Sequence, residues 1–252
     1  GQAMQNEGGV WSLHVPGAKV GQFYKFRIKG ADGQLMEKAD PYAFSSELRP
    51  KTASVIYDHS TYRFEDAKWM SQRSATTEQP ISIYELHLGS WRTKVHELGE
   101  TYEAQVIEEE EDNWFNYRDL AEPLANYVKD MGYTHVEFMP IYEYPLDASW
   151  GYQPSGFFSA TSRYGNPDDL KFLIDHLHQS GIGVILDIVP VHFVSDAFAL
   201  GNYDGTALYE YPHPDVGFSE WGSYNFMHSR GEVRSFLQSM GAYWLDKFHI
   251  DG

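Results

Sequence analysis

Cysteine is absent from the 252 residues, which excludes a disulfide framework and a thiolate metal centre. The absence fits a cytoplasmic protein. No apolar run approaches the roughly 18 residues of a membrane helix, so no membrane partner is expected. The opening residues, GQAMQNEGG, lack the basic and apolar parts of a signal peptide. Residue 1 is not Met, and the natural start is expected upstream. Basic residues are scarce, and the net charge is −17. Residues 1–80 hold ten Lys/Arg and nine Asp/Glu, whereas residues 81–252 hold nine and 27. So acidic a segment repels a phosphate backbone, which argues against nucleic acid and leaves a neutral substrate open.

Aromatic residues, by contrast, are plentiful: 16% of the chain, with 18 Tyr and 7 Trp. Their flat apolar faces suit the C–H face of a sugar, although the same rings also fill cores. Hydrophobic residues reach 42%, enough for a globular chain with a real core.

Two regions differ in hydrophobic period. Residues 10–58 read as β structure: VWSLHV, QFYKFRIK and TASVIYD are rich in β-branched and aromatic residues. Tyr24, Phe26 and Ile28 alternate with Lys25, Arg27 and Lys29, and Asp32-Gly33 predicts a hairpin turn. The polar stretch Ser71–Gln79 reads as a linker. From Ile81 the pattern becomes strand, helix, strand, helix, strand, helix, which is a parallel α/β order. ISIYELHL, THVEFMPI and IGVILDIV are the strands. Asn116 is placed to cap a helix with Leu120, Leu124, Tyr127, Val128 and Met131 on one face and Gly132 at its end. Asn166-Pro167-Asp168-Asp169 starts a second helix, carrying Leu170, Leu173, Ile174 and Leu177. Ser229 and Glu232 are spaced as a capping box for a third, with Val233, Phe236, Leu237, Met240 and Trp244 on its buried face.

A doubly wound sheet and a TIM barrel both fit this order, and the long loops after the second and third strands favour the barrel. The fold expected is α/β, a partial (β/α)8 TIM barrel preceded by a partial all-β sandwich. Residues 1–75 would be the end of the sandwich and 80–252 the first half of the barrel, stopping inside a fourth strand at HIDG.

Candidate functional residues follow strand ends, where barrel enzymes build their sites. In the loop EYPLDASWGYQPSGFFSATSRYG, Trp150, Tyr152, Phe157, Phe158 and Tyr164 form a possible platform for sugar stacking, or a loop packed by its own side chains. Asp187 stands where the third apolar run ends, and His192 follows five residues later. A site-facing pair and a buried Asp with a surface His both fit that spacing. No HxH or HExxH spacing accompanies them, so no metal is expected. The run Gln105–Asp112 is a charge block that reads as a solvated insertion within 94–113.

The blocks SIYELHLGSW, YVKDMGYTHVEFMPI, SWGYQPSGFFSATSRYG, VILDIVPVHF and YWLDKFHIDG resemble, in this order, the glycogen branching enzymes of the α-amylase superfamily (glycoside hydrolase family 13). GVWSLHVPGAKVGQFYKFRIKG and KADPYAFSSELRPKTASVIYD resemble the end of their N-terminal carbohydrate-binding module. The resemblance implies cleavage of an α-1,4 glucan and re-attachment through an α-1,6 bond by a retaining double displacement, without cofactor or metal. It implies that Tyr152 stacks on the sugar at the cleavage point. Asp187 would order the polar network beneath that sugar, and His192 would bond its hydroxymethyl group. Val191 departs from the Gly that many relatives carry. In the family an Arg-x-Asp segment just after HIDG holds the nucleophile, so nucleophile and acid/base are both expected beyond Gly252 and no catalytic carboxylate within the chain. Another glycosidase of the superfamily, debranching or trehalose-releasing, and a non-catalytic glucan-binding protein are the alternatives.

Overall fold

A computed structural model describes residues 1–73, 79–94 and 113–252. The charge block at 105–112 lies outside the described residues. The N-terminal region consists of three antiparallel strand pairs. β1 (Gln5–Glu7) pairs with β2 (Val10–Ser12), and β3 (Phe23–Tyr24) with β6 (Ser54–Val55). β4 (Phe26–Lys29) pairs with β5 (Leu35–Lys38) around the turn that Asp32-Gly33 predicts; Gly33 takes φ +83° there. β1 and β2 are exposed along their whole length, so they form a hairpin with no second layer over it among the described residues. The polar stretch expected as a linker opens as structure: Ser71 and Gln72 complete a short helix, α1 (Ala67–Gln72), while 74–78 lie outside the described residues.

The second region is built on three parallel strands, β7 (Ile83–Leu86), β8 (His135–Phe138) and β11 (Gly183–Leu186), in that spatial order. The backbone of Asp251 donates to Val184 at 2.8 Å, and Leu186 donates to Gly252 at 3.0 Å. A fourth strand position therefore follows β11 on its free side. Strand order that follows sequence order in one direction belongs to a barrel; a doubly wound sheet would return to its first strand. The two faces agree. Tyr84, Leu86, Val136, Phe138, Val184 and Leu186 pack outward under the helices, whereas Ile83 (43% exposed) and Glu85 face inward and are open.

Helices connect the strands as their caps dictate. After the short α2 (Leu88–Trp91) comes α3 (Tyr117–Asp130), where the Asn116 side chain accepts from the Arg118 amide at 2.9 Å. Leu120, Leu124 and Val128 are buried, but Met131 has become the exposed cap residue. α4 (Pro167–Gln179) begins with a reciprocal capping box between Asn166 and Asp169. The Ser229–Glu232 capping box is not formed. α6 (Gly231–Lys247) starts at Gly231 with Arg230 as its cap and no side-chain cap bond. Ser229 lies one residue too early; its carbonyl instead accepts from the Arg234 guanidinium at 2.8 Å. Of the expected apolar face of α6, Val233, Phe236, Met240 and Trp244 are buried, while Leu237 is half-buried against the core. Between α4 and α6 the chain also forms β12 (His192–Phe193), α5 (Pro214–Gly217) and β13 (Tyr224–Asn225).

The two regions meet along α4. Leu170, Leu173, Ile174 and Leu177 line its apolar side, and Asp168, Lys171, Asp175 and His178 line another stripe at spacings of three and four. That polar stripe is covered by the segment 57–66. The Tyr57 hydroxyl donates to Asp168, the Lys171 ammonium to Tyr57 at 2.9 Å, and the Tyr62 hydroxyl to Asp175 at 2.8 Å. His178 lies between Asp66 at 2.8 Å and Asp251 at 3.0 Å. Rings close the rest of the seam: Phe44 stacks on Tyr243 at 5.3 Å, and Tyr42 meets Phe158 at 5.0 Å.

His59 sits among Phe44, Tyr57, Tyr243 and Phe248, and neither ring nitrogen has a partner among the described residues. Burial, followed by the charges of Lys171 and Lys247, lowers its pKa to about 4. The unfolded imidazole takes a proton near 6.5, so acid between 6.5 and about 4 favours unfolding. The stability tied to neutral His59 is full above pH 6.5 and is lost by about pH 4. His59→Phe is expected to flatten the fall in melting temperature across that window; an unchanged slope would contradict the assignment.

Candidate functional site

The candidate residues gather at the C-terminal edge of the sheet. The Asp187 amide donates to Phe138 at 2.9 Å, which extends the β8–β11 ladder by one residue and fixes the carboxylate at the rim. Asp187 lies two residues after Ile185, so it shares the inward face with Ile185, Glu137 and Glu85. Glu85 and Glu137 stand opposite each other in register. Burial raises the pKa of Glu137, and the charges of Glu85 and Asp187 add to the shift.

Tyr152 reaches this rim from the loop after β8, which itself forms an antiparallel pair, β9 (Tyr142–Glu143) with β10 (Gly156–Ala160). The Tyr152 hydroxyl donates to Asp187 at 2.6 Å. Burial and that neighbouring carboxylate raise the phenol pKa well above its ordinary value, so the donor is kept. His192, on β12, joins from the other end of Tyr152: its Nε2 is 2.7 Å from the Tyr152 carbonyl. A carbonyl only accepts, so Nε2 carries the hydrogen and Nδ1 of a neutral ring is an acceptor. Tyr152, Asp187 and His192 are thus brought together, as their positions after strand ends predict.

The five-ring platform is not formed as a unit. Phe157 and Phe158 on β10, and Tyr164 on the short helical turn after it, are buried in the core. Trp150 (57% exposed) and Tyr152 remain accessible. Trp221 (70% exposed) joins them at the same edge, where its carbonyl accepts from the Gln153 side chain at 3.3 Å. Trp221 lies in the third long loop, and nothing in its local pattern distinguishes it. Glu85 and Glu137 did carry a signal, a charge in the middle of an apolar strand.

Backbone geometry at Trp150-Gly151 aims Tyr152. Trp150 takes φ 53° and Gly151 φ +89°. A Cβ on Gly151 would lie 2.2 Å from the Pro140 carbonyl oxygen, which leaves no room for a side chain. Gly132 has φ +77° and open space around it. Gly132→Ala is therefore expected to cost about 1 kcal/mol and Gly151→Ala about 3 kcal/mol or more. Urea unfolding midpoints check this, and equal losses would contradict it.

Comparison with known proteins agrees with this architecture. Residues 102–203 match the family model described as alpha amylase, catalytic domain. Residues 2–43 match carbohydrate-binding module 48, the isoamylase N-terminal domain. The chain is 46% identical over 99% of its length to a 1,4-alpha-glucan branching enzyme of Fusobacterium nucleatum, covering 38% of that protein. It is 48% identical over 98% of its length to one from Desulfitobacterium hafniense, covering 36%. A solved Salmonella typhimurium protein assigned to the alpha amylases superposes on the whole chain with a TM-score of 0.74 at 27% identity, over 37% of its own length. The chain spans little more than a third of the curated relatives it matches. Over nearly its whole length the chain resembles the 1,4-alpha-glucan branching enzymes, and parts of it match the alpha-amylase catalytic domain and carbohydrate-binding module 48.

Proposed function

We propose that a protein carrying this chain cleaves α-1,4-glucan chains and re-attaches the piece through an α-1,6 bond, in the cytoplasm, by a retaining double displacement. Residues 1–75 would belong to a glucan-binding module and residues 80–252 to the first half of the catalytic barrel. The reading rests on one observation, the bonded group Tyr152, Asp187 and His192 at the strand-end rim. Each member has a defined task. Asp187 fixes the Tyr152 hydroxyl, which holds the ring plane and leaves one face for a sugar. With Nε2–H committed to the Tyr152 carbonyl, Nδ1 of His192 is left to accept from a sugar hydroxyl. A fixed acceptor of this kind needs no reorganisation when charge develops on the ring, so its effect is largest in the transition state.

Retaining transfer uses a carboxylate nucleophile and a carboxylic acid that serves both halves. In this reading both come from outside the 252 residues, and the chain supplies the sugar-holding part. The substrate is an α-glucan such as glycogen or amylose. Neither nucleic acid nor a membrane is needed, and among the described residues no helix is long and apolar enough to cross a membrane.

In a protein that continues this chain to the length of its relatives, His192→Ala is expected to lower kcat on amylose by about tenfold to a hundredfold, with a smaller change in KM. An iodine-stain or linkage assay reads the rate. An unchanged kcat would remove His192 from the site, and hydrolysis without new α-1,6 linkages would replace branching by another activity of the superfamily.

A further inference from the structure

The loop that presents Tyr152 is gripped from the N-terminal region by the Arg49 guanidinium. Arg49 lies just before the strand β6. Its Nε donates to Asp147 Oδ1 at 2.7 Å, and its Nη2 donates to Asp147 Oδ2, so the guanidinium takes both carboxylate oxygens. Asp147 is held from the other side by Arg163, whose Nε is 2.7 Å from Oδ1. Arg163 also donates to Glu143 at 2.9 Å and stacks on the Tyr144 ring at 3.8 Å. The chain of charges runs Arg49, Asp147, Arg163, Glu143, and its Arg163 side chain is 1% exposed. Burial alone would raise the Asp147 pKa; the two guanidiniums outweigh it and hold the carboxyl below its usual range.

Asp147 is also the first residue of the turn that leads into Tyr152. The Trp150 amide donates to the Asp147 carbonyl at 3.0 Å, and the Tyr152 amide to the Ser149 carbonyl at 2.9 Å. Gly151 then presses against Pro140, and the Tyr152 hydroxyl reaches Asp187. Two neighbouring bonds hold the same loop to the same N-terminal segment. The Ser46 hydroxyl donates to Ser159 at 2.9 Å, and the Ser162 hydroxyl donates to the Ser46 carbonyl at 2.8 Å.

We propose that Arg49 is a positioning residue for the Tyr152 site, and that through Asp147 it makes the geometry of the rim depend on how the N-terminal region is seated. The role rests on the branching function argued above. Arg49 touches no reacting atom. It fixes the start of a five-residue path, Asp147 to Gly151, whose end must place a hydroxyl on one carboxylate oxygen. Arg163 continues to hold Asp147 when Arg49 is removed, so the loop should stay folded and lose only its alignment. A lysine at 49 keeps the charge but cannot span both oxygens.

The test uses Arg49→Met, Arg49→Lys and Tyr152→Ala in a protein that continues this chain to the length of its relatives. Arg49→Met is expected to reduce kcat about tenfold, because small misplacements at a site carry losses of this order. In a Tyr152→Ala background the same change should cost less than about twofold, since residues that act through one another are non-additive. Arg49→Lys should fall between wild type and Arg49→Met. Amide exchange should rise in Arg49→Met at residues 148–153 and stay unchanged in α3 and α4. An equal loss of kcat in both backgrounds, or unchanged exchange at 148–153, would overturn the proposal. If wild-type protein forms no α-1,6 linkages, the functional reading fails, and the exchange measurement then decides whether Arg49 positions the loop.

Discussion

The polar stripe of α4 is the constraint on which the rest of the structure depends. A helix on the outside of a barrel normally turns one face to the strands and the other to water. Here Lys171, Asp175 and His178 are as buried as Leu173 and Ile174. Buried charges are tolerated only when their bonds are made, and the segment 57–66, with Asp251, makes them. The N-terminal region must therefore sit in one place on the barrel. Lys38, 2% exposed, repeats the arrangement on the other side, donating to the Ala199 and Gly201 carbonyls at 3.2 and 2.7 Å. Once the region is seated, Ser46 and Arg49 lie against the loop that carries Tyr152.

How much of this was legible depended on whether the signal was local. Asn166-Pro167-Asp168-Asp169 starts a helix because its cap, its fixed φ and its acids act within one turn, and the helix begins there. The three apolar runs became neighbouring parallel strands for the same reason. Asp187 and His192 stand where an apolar run stops, but that spacing fitted a buried Asp with a surface His equally well, and only the family resemblance singled them out. The five rings left a sugar platform and a loop packed by its own side chains both open, because the burial of Phe157, Phe158 and Tyr164 depends on distant partners such as Phe226, Phe236 and Tyr117. The capping box at Ser229 failed when two other groups competed for that turn: Arg230 is drawn to the Ala207 and Leu208 carbonyls, and Arg234 reaches back to 228 and 229. The stripe Asp168, Lys171, Asp175, His178 gave no sign of burial, since polar residues at helical spacing look the same whether water or another segment covers them.

Tyr152 is fixed at both ends: its hydroxyl by Asp187, its carbonyl by His192. His192 is itself set by β12, whose partner β13 begins the approach to α6. Above this group Trp150 and Trp221 leave large apolar faces in solvent, which is costly unless a ligand covers them in use. Below it, the Glu85 and Glu137 carboxyl groups stand opposite each other on the inner face of the sheet. The acidity of residues 81–252 argues against a nucleic-acid backbone, and the neutral sugar of the proposed function suffers no such repulsion.

The most direct measurement is a crystal structure of the protein, continued to the length of its relatives, with a maltooligosaccharide bound. The account predicts a glucose ring lying face to face on Tyr152 at about 4 Å, with a sugar hydroxyl bonded to His192 and Trp150 close by. A chain of sugar bound at the opposite end of the strands, near Gly132 and Gly181, with the Tyr152 face empty, would contradict it.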